Sequence, residues 1–184
     1  CSAVWINQAN QMDKVIVTSE HAKKSLATPI HHVKMENDDN VYQIQMQNPV
    51  AVISYPYRDL GASEEAIEKI DLDTKFNFVT SAQFGPRKNL MNTIRWFVEE
   101  FKDEPDVGLV VKAHHMNNSQ LDRQRMIIQL SQSVHGVPHR KCRVFLLHGN
   151  MTEDEMNSLY VHPNIHAYIT ATHGEGFGLP IFEA

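Results

Sequence analysis

The last twelve residues of the chain combine glycines, a proline and acidic side chains at a spacing that could bind an anion. In this segment, 173–184, Gly174, Gly176 and Gly178 stand at alternate positions, so backbone N–H groups can approach a ligand without interference from Cβ atoms. Pro180 suits the first turn of a helix, where its missing N–H is not needed. A turn of this kind, opening a helix after a strand, predicts an anion-binding site.

Two carboxylates flank this turn: Glu175 precedes it, and Glu183 lies eight residues later, about one turn into the predicted helix. Phosphate binding alone explains carboxylates poorly, but they are strong acceptors for hydroxyl groups. The pattern therefore indicates a ligand with a phosphate and hydroxyls on both sides, as in a nucleotide sugar. The alternative is an ordinary glycine-rich turn between a strand and a helix, with two surface acids.

The segment 175–184, Glu-Gly-Phe-Gly-Leu-Pro-Ile-Phe-Glu-Ala, resembles the E-x7-E signature of retaining glycosyltransferases of the GT-B fold, particularly family 4. The resemblance implies that Glu175 faces the donor sugar at the catalytic position and that Glu183 binds the ribose hydroxyls. It assigns backbone contacts to the donor sugar and phosphate to four further residues: Gly176, Phe177, Gly178 and Leu179.

A second charged group, Arg87 and Lys88, lies between a predicted strand over 75–82 and a predicted helix over 90–102. In an open α/β sheet, ligands bind on this side, at the carboxyl ends of the strands. The sequence Pro-Arg-Lys-Asn at 86–89 resembles the P-R-K-N form of many family 4 enzymes, which implies that both cations neutralise the donor diphosphate. Which cation contacts which phosphate stays open, and solvated surface charge is the alternative.

Lys112 ends the next predicted strand, over 106–113, and could point into the same cleft as a further phosphate contact. The alternative is a strand-end lysine that extends to solvent. For the two histidines that follow, 114 and 115, no cysteine or acid stands at metal-ligand spacing, so we expect no metal site.

Strands and helices alternate from residue 75 onward, with connections of a few residues. The predicted strands cover 75–82, 106–113, 142–147 and 165–170, and helices are predicted over 90–102 and 119–135, after a capping box at 152–155, and after residue 178. This alternation predicts an α/β fold with a Rossmann-like parallel sheet flanked by helices.

The domain interpretation has three parts. Residues 1–30 are interpreted as the tail of an N-terminal acceptor domain, because 13–27, with a short strand and a helix over 20–27, resembles the segment that closes this domain in GT-B enzymes. A generic strand–helix unit is the alternative. Residues 31–61, with a strand over 50–54, are interpreted as an interdomain crossover, and 62–184 as a nucleotide-sugar-binding domain that is incomplete at its C-terminus. We expect the chain to be a segment of a longer protein and to be inactive by itself.

The amino-acid composition limits the classes of partner that we expect. The chain is 42% hydrophobic and 21% charged, with a formal net charge of −5, so it presents no basic field and nucleic acid is not an expected partner. It has two cysteines and lacks an apolar run near 18 residues or a signal-peptide pattern, from which we expect a cytoplasmic location. Peripheral membrane association of the full-length protein is left open.

The resemblance implies transfer of a hexosyl group, with retention, from a UDP- or GDP-sugar to a hydroxyl of a glycan, lipid or small-molecule acceptor, in glycan biosynthesis. It implies no obligatory cofactor or metal. Two alternatives remain: a non-catalytic nucleotide-sugar-binding module, and a nucleotide-sugar epimerase of the same fold.

Overall fold

The computed structural model describes residues 1–34, 40–56 and 61–184, so parts of the predicted crossover, 35–39 and 57–60, lie outside the described residues. The chain divides into two compact units, Cys1–Arg58 and Asp59–Ala184. In the described ranges, no helix has the length and apolar character needed to cross a bilayer.

The described part of the first unit is built from short elements: α1 (Ala3–Ala9), β1 (Val15–Val17), α2 (Glu20–Ala27), β2 (His31–Lys34), β3 (Val41–Ile44) and β4 (Val50–Val52). β1 pairs in parallel with β4, and β2 pairs with β3 as an antiparallel hairpin. The helix over 20–27 forms as predicted, because the Ser19 side chain accepts a hydrogen bond from the N–H of Ala22. Sequence analysis missed β2 and β3, whose residues are largely exposed and mix polar with apolar side chains, so they show no clear hydrophobic alternation.

The second unit holds the predicted alternation of strands and helices. Its elements are α3 (Glu64–Glu68), β5 (Phe76–Gln83), a 3₁₀ turn (Pro86–Lys88), α4 (Leu90–Glu100), β6 (Val107–His114), α5 (Gln120–Val134), β7 (Arg143–Leu147), α6 (Glu153–Tyr160), β8 (Ile165–Tyr168) and α7 (Leu179–Glu183). The strands pair in parallel in the order β7-β6-β5-β8, which confirms the predicted parallel sheet. Because β6 and β8 lie on opposite sides of β5, the strand order reverses there, and such a switch point opens a crevice at the carboxyl ends of the strands.

Helices cover both faces of this sheet, as the central strand shows. Leu109 and Val111 of β6 pack into the same core as Phe97 of α4, whereas Val110 packs into a second core with Leu159 of α6. Both faces of β6 are therefore buried, which explains its continuous apolar sequence. Rigid cores on the two faces hold the strand ends, and the loops that follow them, in place.

A buried polar cluster closes the amino-terminal end of the sheet. The Asn77 side chain donates to the carbonyl oxygens of Thr74 and Asn164, both at 2.9 Å, and its Oδ1 accepts from the Thr74 hydroxyl at 2.5 Å. Gly108 is the register partner of Asn77 in β6. A Cβ at Gly108 would lie 2.1 Å from Asn77 Oδ1, so glycine is required here by close approach.

A second buried group joins the loops after β6 and β7. Asp122, in the first turn of α5, accepts hydrogen bonds from the backbone N–H groups of His115 and Met116, both at 2.9 Å, and lies 3.0 Å from Nε2 of His148. Burial raises the pKa of Asp122, but the bonds from His148 and the two backbone N–H groups outweigh it and lower the pKa to about 2. Because the carboxylate is ionised at neutral pH and can only accept, Nε2 of His148 donates.

We predict that Gly108→Ala destabilises the fold, because the new methyl group would displace the Asn77 side chain from its buried partners. Overpacking of this kind costs about 1–3 kcal/mol, measurable as a lower urea midpoint. Gly136→Ala is the matched control, since a Cβ there meets no heavy atom within 4 Å. Equal midpoints for the two variants would contradict this account.

We predict that Asp122→Asn removes part of the acid sensitivity of folding. The pKa is about 2 in the folded chain and about 3.9 in an unfolded one. The stabilisation is therefore present above about pH 4 and is lost as the pH falls through about 2. Urea unfolding from pH 2 to 6 should show a flatter acid limb for Asp122→Asn than for the parent, while the exposed Asp103→Asn keeps the parent slope. An unchanged slope for Asp122→Asn would argue against the role of this carboxylate.

Candidate functional site

The loop after β5 presents two cations at the switch point. Arg87 and Lys88 lie in the 3₁₀ turn, which ends at Asn89 with a left-handed backbone (φ 53°) before α4 begins. Asn89 is the N-cap residue of α4, but its side chain makes no capping hydrogen bond. Its side-chain nitrogen donates to the carbonyl oxygen of Ala171 at 3.0 Å, so it links this loop to the loop after β8.

The loop after β8 is bound to the same turn through its backbone. The carbonyl oxygen of Arg87 accepts from the N–H of His173 at 2.9 Å, and the Thr172 hydroxyl lies 3.2 Å from it. In return, Nη1 of Arg87 donates to the carbonyl oxygen of Gly174 at 2.5 Å. These bonds set the path of the chain just before Glu175.

Glu175 forms ion pairs with both cations. Its Oε1 lies 2.6 Å from Nζ of Lys88, and its Oε2 lies 3.3 Å from Nη1 of Arg87. The Lys88 and Glu175 side chains are only 18% and 20% exposed, whereas Arg87 is 59% exposed. Burial raises the pKa of Glu175, but the bonds from Lys88, Thr172 and Arg87 outweigh it, so the pKa is lowered and the group is an anion at neutral pH. Two cations and one carboxylate leave one net positive charge.

An open pocket of about 270 Å³, which we call the lysine pocket, lies at the carboxyl ends of β5, β6 and β7. Lys88 and Lys112 both line it, together with Gln83, Asn118, Asn150 and, from α7, Pro180. Nζ of Lys112 donates to the carbonyl oxygen of Gly149. Burial lowers the pKa of Lys112, with a smaller opposing effect of Glu155. Glu155 is not in direct contact with this half-buried ammonium, so a bound anion would supply the ion pair that Lys112 lacks among the described residues.

The other predicted site residues lie outside the ion pairs of Glu175 and outside the lysine pocket. Gly178 is buried and begins α7 with a left-handed backbone (φ 79°), which favours glycine. The Phe177 ring packs against that of Phe182, while Leu179 is exposed. Glu183 is exposed, and its charge adds slightly to the effect of burial that raises the pKa of Tyr160 to about 12.

The structure thus brings Arg87, Lys88 and Glu175 into contact, and Lys88 connects them to Lys112 in the lysine pocket. Pro180 lines that pocket, but the predicted donor-binding residues of the same segment do not: Gly176, Phe177, Gly178, Leu179 and Glu183. In the part of the chain described, no three His, Cys, Asp or Glu residues are grouped closely enough to hold a metal ion.

Sequence analysis missed the residues that position the site. Besides Asn89 and Thr172, the Tyr168 hydroxyl donates to the carbonyl oxygen of Ser81 at 2.9 Å and accepts from its N–H at 3.2 Å. The pairing of β5 with β8 ends at Val79 and Tyr168, so the Tyr168 side chain takes the place of the next strand-to-strand hydrogen bonds. Only Thr172 and Asn89 carried a signal, as polar residues at a strand end and a helix start.

Comparison with known proteins gave no matching family model and no match among curated proteins. Among solved structures, the chain is similar to the C-terminal domain of a glycosyl transferase group 1 family protein, LpcC, from Francisella tularensis, with 21% identity over 67% of this chain and a TM-score of 0.51. It is also similar to "Trehalose-6-phosphate from E. coli bound with UDP-2-fluoro glucose" (9% identity, 94% of this chain, TM-score 0.55) and to an OtsA apo structure (11%, 94%, TM-score 0.52).

The chain spans 61%, 43% and 42% of the length of these three solved chains. At such low identities the similarity concerns the fold. It agrees with the sheet described above: the second unit has the parallel, helix-flanked Rossmann-like architecture of GT-B glycosyltransferase domains.

Proposed function

We propose that this chain supplies the donor-binding part of a retaining GT-B glycosyltransferase of family 4, which transfers a hexosyl group from a UDP- or GDP-sugar to an acceptor hydroxyl. The observation that carries the proposal is the position of Lys88. Its Nζ lies 2.6 Å from the Glu175 carboxylate, and its side chain also lines the pocket that contains Lys112. One cation therefore joins an acceptor for sugar hydroxyls to a pocket suited to phosphate.

The charges fit a diphosphate. Arg87, Lys88 and Glu175 together carry one net positive charge, and Lys112 brings a second within the same pocket. Positive groups already in place where negative charge develops stabilise a departing diphosphate without reorganisation. In this proposal the lysines and Arg87 act as the counter-charge, so the transfer requires no obligatory divalent cation.

Glu175 would change partners when the donor binds. Its carboxylate oxygens are hydrogen-bonded to Lys88 and Arg87. A diphosphate competes for the same cations, and the released carboxylate oxygens then accept from hydroxyls of the donor sugar. Retention is proposed from the resemblance of the terminal segment, and 1H NMR of the anomeric proton in the first product formed would test it.

We assign the nucleoside to the far side of the lysine pocket. There Asn118 donates from Nδ2 to Oδ1 of Asn150 at 2.6 Å, while its own Oδ1 is buried and lacks a partner among the described residues. A hydroxyl or N–H of a nucleoside would satisfy that oxygen. Support for the nucleotide class comes from the similar E. coli structure, which is bound with UDP-2-fluoro glucose.

Because the chain spans 61% or less of the solved chains it matches, binding is a better first test than turnover. We predict that calorimetric titration detects UDP or GDP binding, and that Lys88→Met weakens it by about 1.5–3 kcal/mol, or at least tenfold in Kd, as expected for a charged hydrogen bond. Arg87→Ala should weaken it as well, and Glu183→Ala should do so through the ribose contact that the resemblance of the terminal segment implies.

The exposed Lys102→Met is the matched control and should bind nucleotide as the parent does. Failure of both nucleotides to bind the folded chain would overturn the proposed function. Binding without sugar transfer in any longer form of the protein would favour the non-catalytic module, and interconversion of nucleotide sugars would favour the epimerase.

Lys112→Met separates binding from stability. Because burial opposes the charged form of Lys112, methionine, with a similar apolar stem, should keep the urea midpoint within the equivalent of about 1 kcal/mol. Nucleotide affinity should nevertheless fall at least about tenfold, since a phosphate contact is lost. Equal loss of stability and affinity would indicate that Lys112 has a structural role only.

A further inference from the structure

A second pocket, of about 340 Å³, opens at the carboxyl ends of the same strands but on the other face of the sheet. Gln83 and His114 line the lysine pocket, whereas the residues that follow them, Phe84 and His115, line this one. Successive residues of an extended strand point to opposite faces, so the sheet separates the two pockets. We call this second space the α4–α5 pocket, because residues of those two helices complete its wall.

Two polar atoms on the wall of the α4–α5 pocket have no partner among the described residues. They are Nδ1 of His115 and Oε1 of Gln129, and both are buried from solvent. Most buried polar atoms in folded proteins are hydrogen-bonded, so two such atoms without partners on one pocket wall point to a ligand that supplies their hydrogen bonds. Gln129 Oε1 accepts only, and the ligand must therefore carry a hydrogen-bond donor.

The rest of the wall is apolar and held in place. Phe84, Pro86, Leu90 and Met91 supply carbon and sulfur surface, and among the described residues no lysine, arginine or acid lines the pocket. The backbone N–H of His115 is bound by the buried Asp122, so the strand end that carries this ring is fixed. The wall suits a ligand without charge, because an anion or cation would find no counter-charge there.

The shape of the aromatic pair narrows the ligand class. The rings of Phe84 and His115 already stack on each other, with centroids 6.2 Å apart and planes 16° apart, so they leave no slot between them for a flat base. A saturated ring can instead pack its C–H face against Phe84, Pro86 and Leu90 while its hydroxyls reach His115 and Gln129. The volume lies at the small end of the range of about 300–1,000 Å³ typical of ligand pockets.

We propose that the α4–α5 pocket binds a neutral hydroxylated ring of the pyranose class, at a site separate from the lysine pocket. Asn89 lines the α4–α5 pocket and also binds the carbonyl oxygen of Ala171, so an occupied pocket adjoins the loops that carry Arg87 and Glu175. The proposal does not rest on nucleotide binding and stands if that function is disproved.

The test is a 1H–15N NMR titration of the chain with methyl α-D-glucopyranoside and methyl α-D-mannopyranoside. We expect saturable shifts of the backbone amides of Gly85, Met91 and His115, with a Kd of about millimolar order for so small a ligand. Gln129→Leu should raise that Kd about fivefold or more, because it removes one acceptor. His115→Phe, which keeps a ring beside Phe84, should do the same and provides an independent test of the same wall.

Gln124→Leu is the matched control: it lies on the same helix, is exposed, and should leave the Kd unchanged. Cyclohexanol, which keeps the ring and one hydroxyl, should bind more weakly than the pyranosides. The proposal is overturned if no amide near the pocket shifts, if Gln129→Leu and Gln124→Leu give the same Kd, or if cyclohexanol binds as tightly as the pyranosides.

Discussion

Parallel pairing of β5 with β6 on one side and β8 on the other is the constraint on which the candidate site depends. Because the strands run in one direction, all their carboxyl ends lie at one edge of the sheet. Because the strand order reverses at β5, the loops after β5 and β8 diverge around a crevice. Lys88 and Glu175, 87 positions apart in sequence, meet there at 2.6 Å.

Positions within the crevice are set by backbone hydrogen bonds rather than by the charged groups alone. The Arg87 carbonyl oxygen accepts from His173, the Asn89 side chain donates to Ala171, and Tyr168 completes the hydrogen bonds of Ser81 where β8 leaves β5. Such bonds are geometrically specific, so they fix the backbone that carries the cations and the carboxylate. Half-buried charges held in this way interact more strongly than exposed ones.

Three polar side chains at the ends of the sheet share one role. Asn77, Asp122 and Tyr168 each satisfy backbone groups that the strand ladder leaves unpaired at an end of the sheet. Among the described residues, five buried polar side-chain atoms lack a partner. Three of them, on Asn118, His115 and Gln129, line pockets at the carboxyl edge, and the other two belong to His31 and Arg140. Unpaired polar atoms are costly when buried, which makes their concentration at this edge informative about ligands.

The sequence by itself determined the elements of the second unit and the sheet they form, because apolar periodicity and helix caps are local signals. It also singled out Arg87, Lys88, Lys112 and Glu175 as candidates from residue type and position. Only the tertiary structure decided that Glu175 pairs with both cations, that Lys88 rather than Arg87 reaches the lysine pocket, and that Gln129 shares a wall with His115. It likewise revealed the β2–β3 hairpin, which has too little burial to leave a pattern. These outcomes depend on contacts between residues far apart in the chain, which no local spacing encodes.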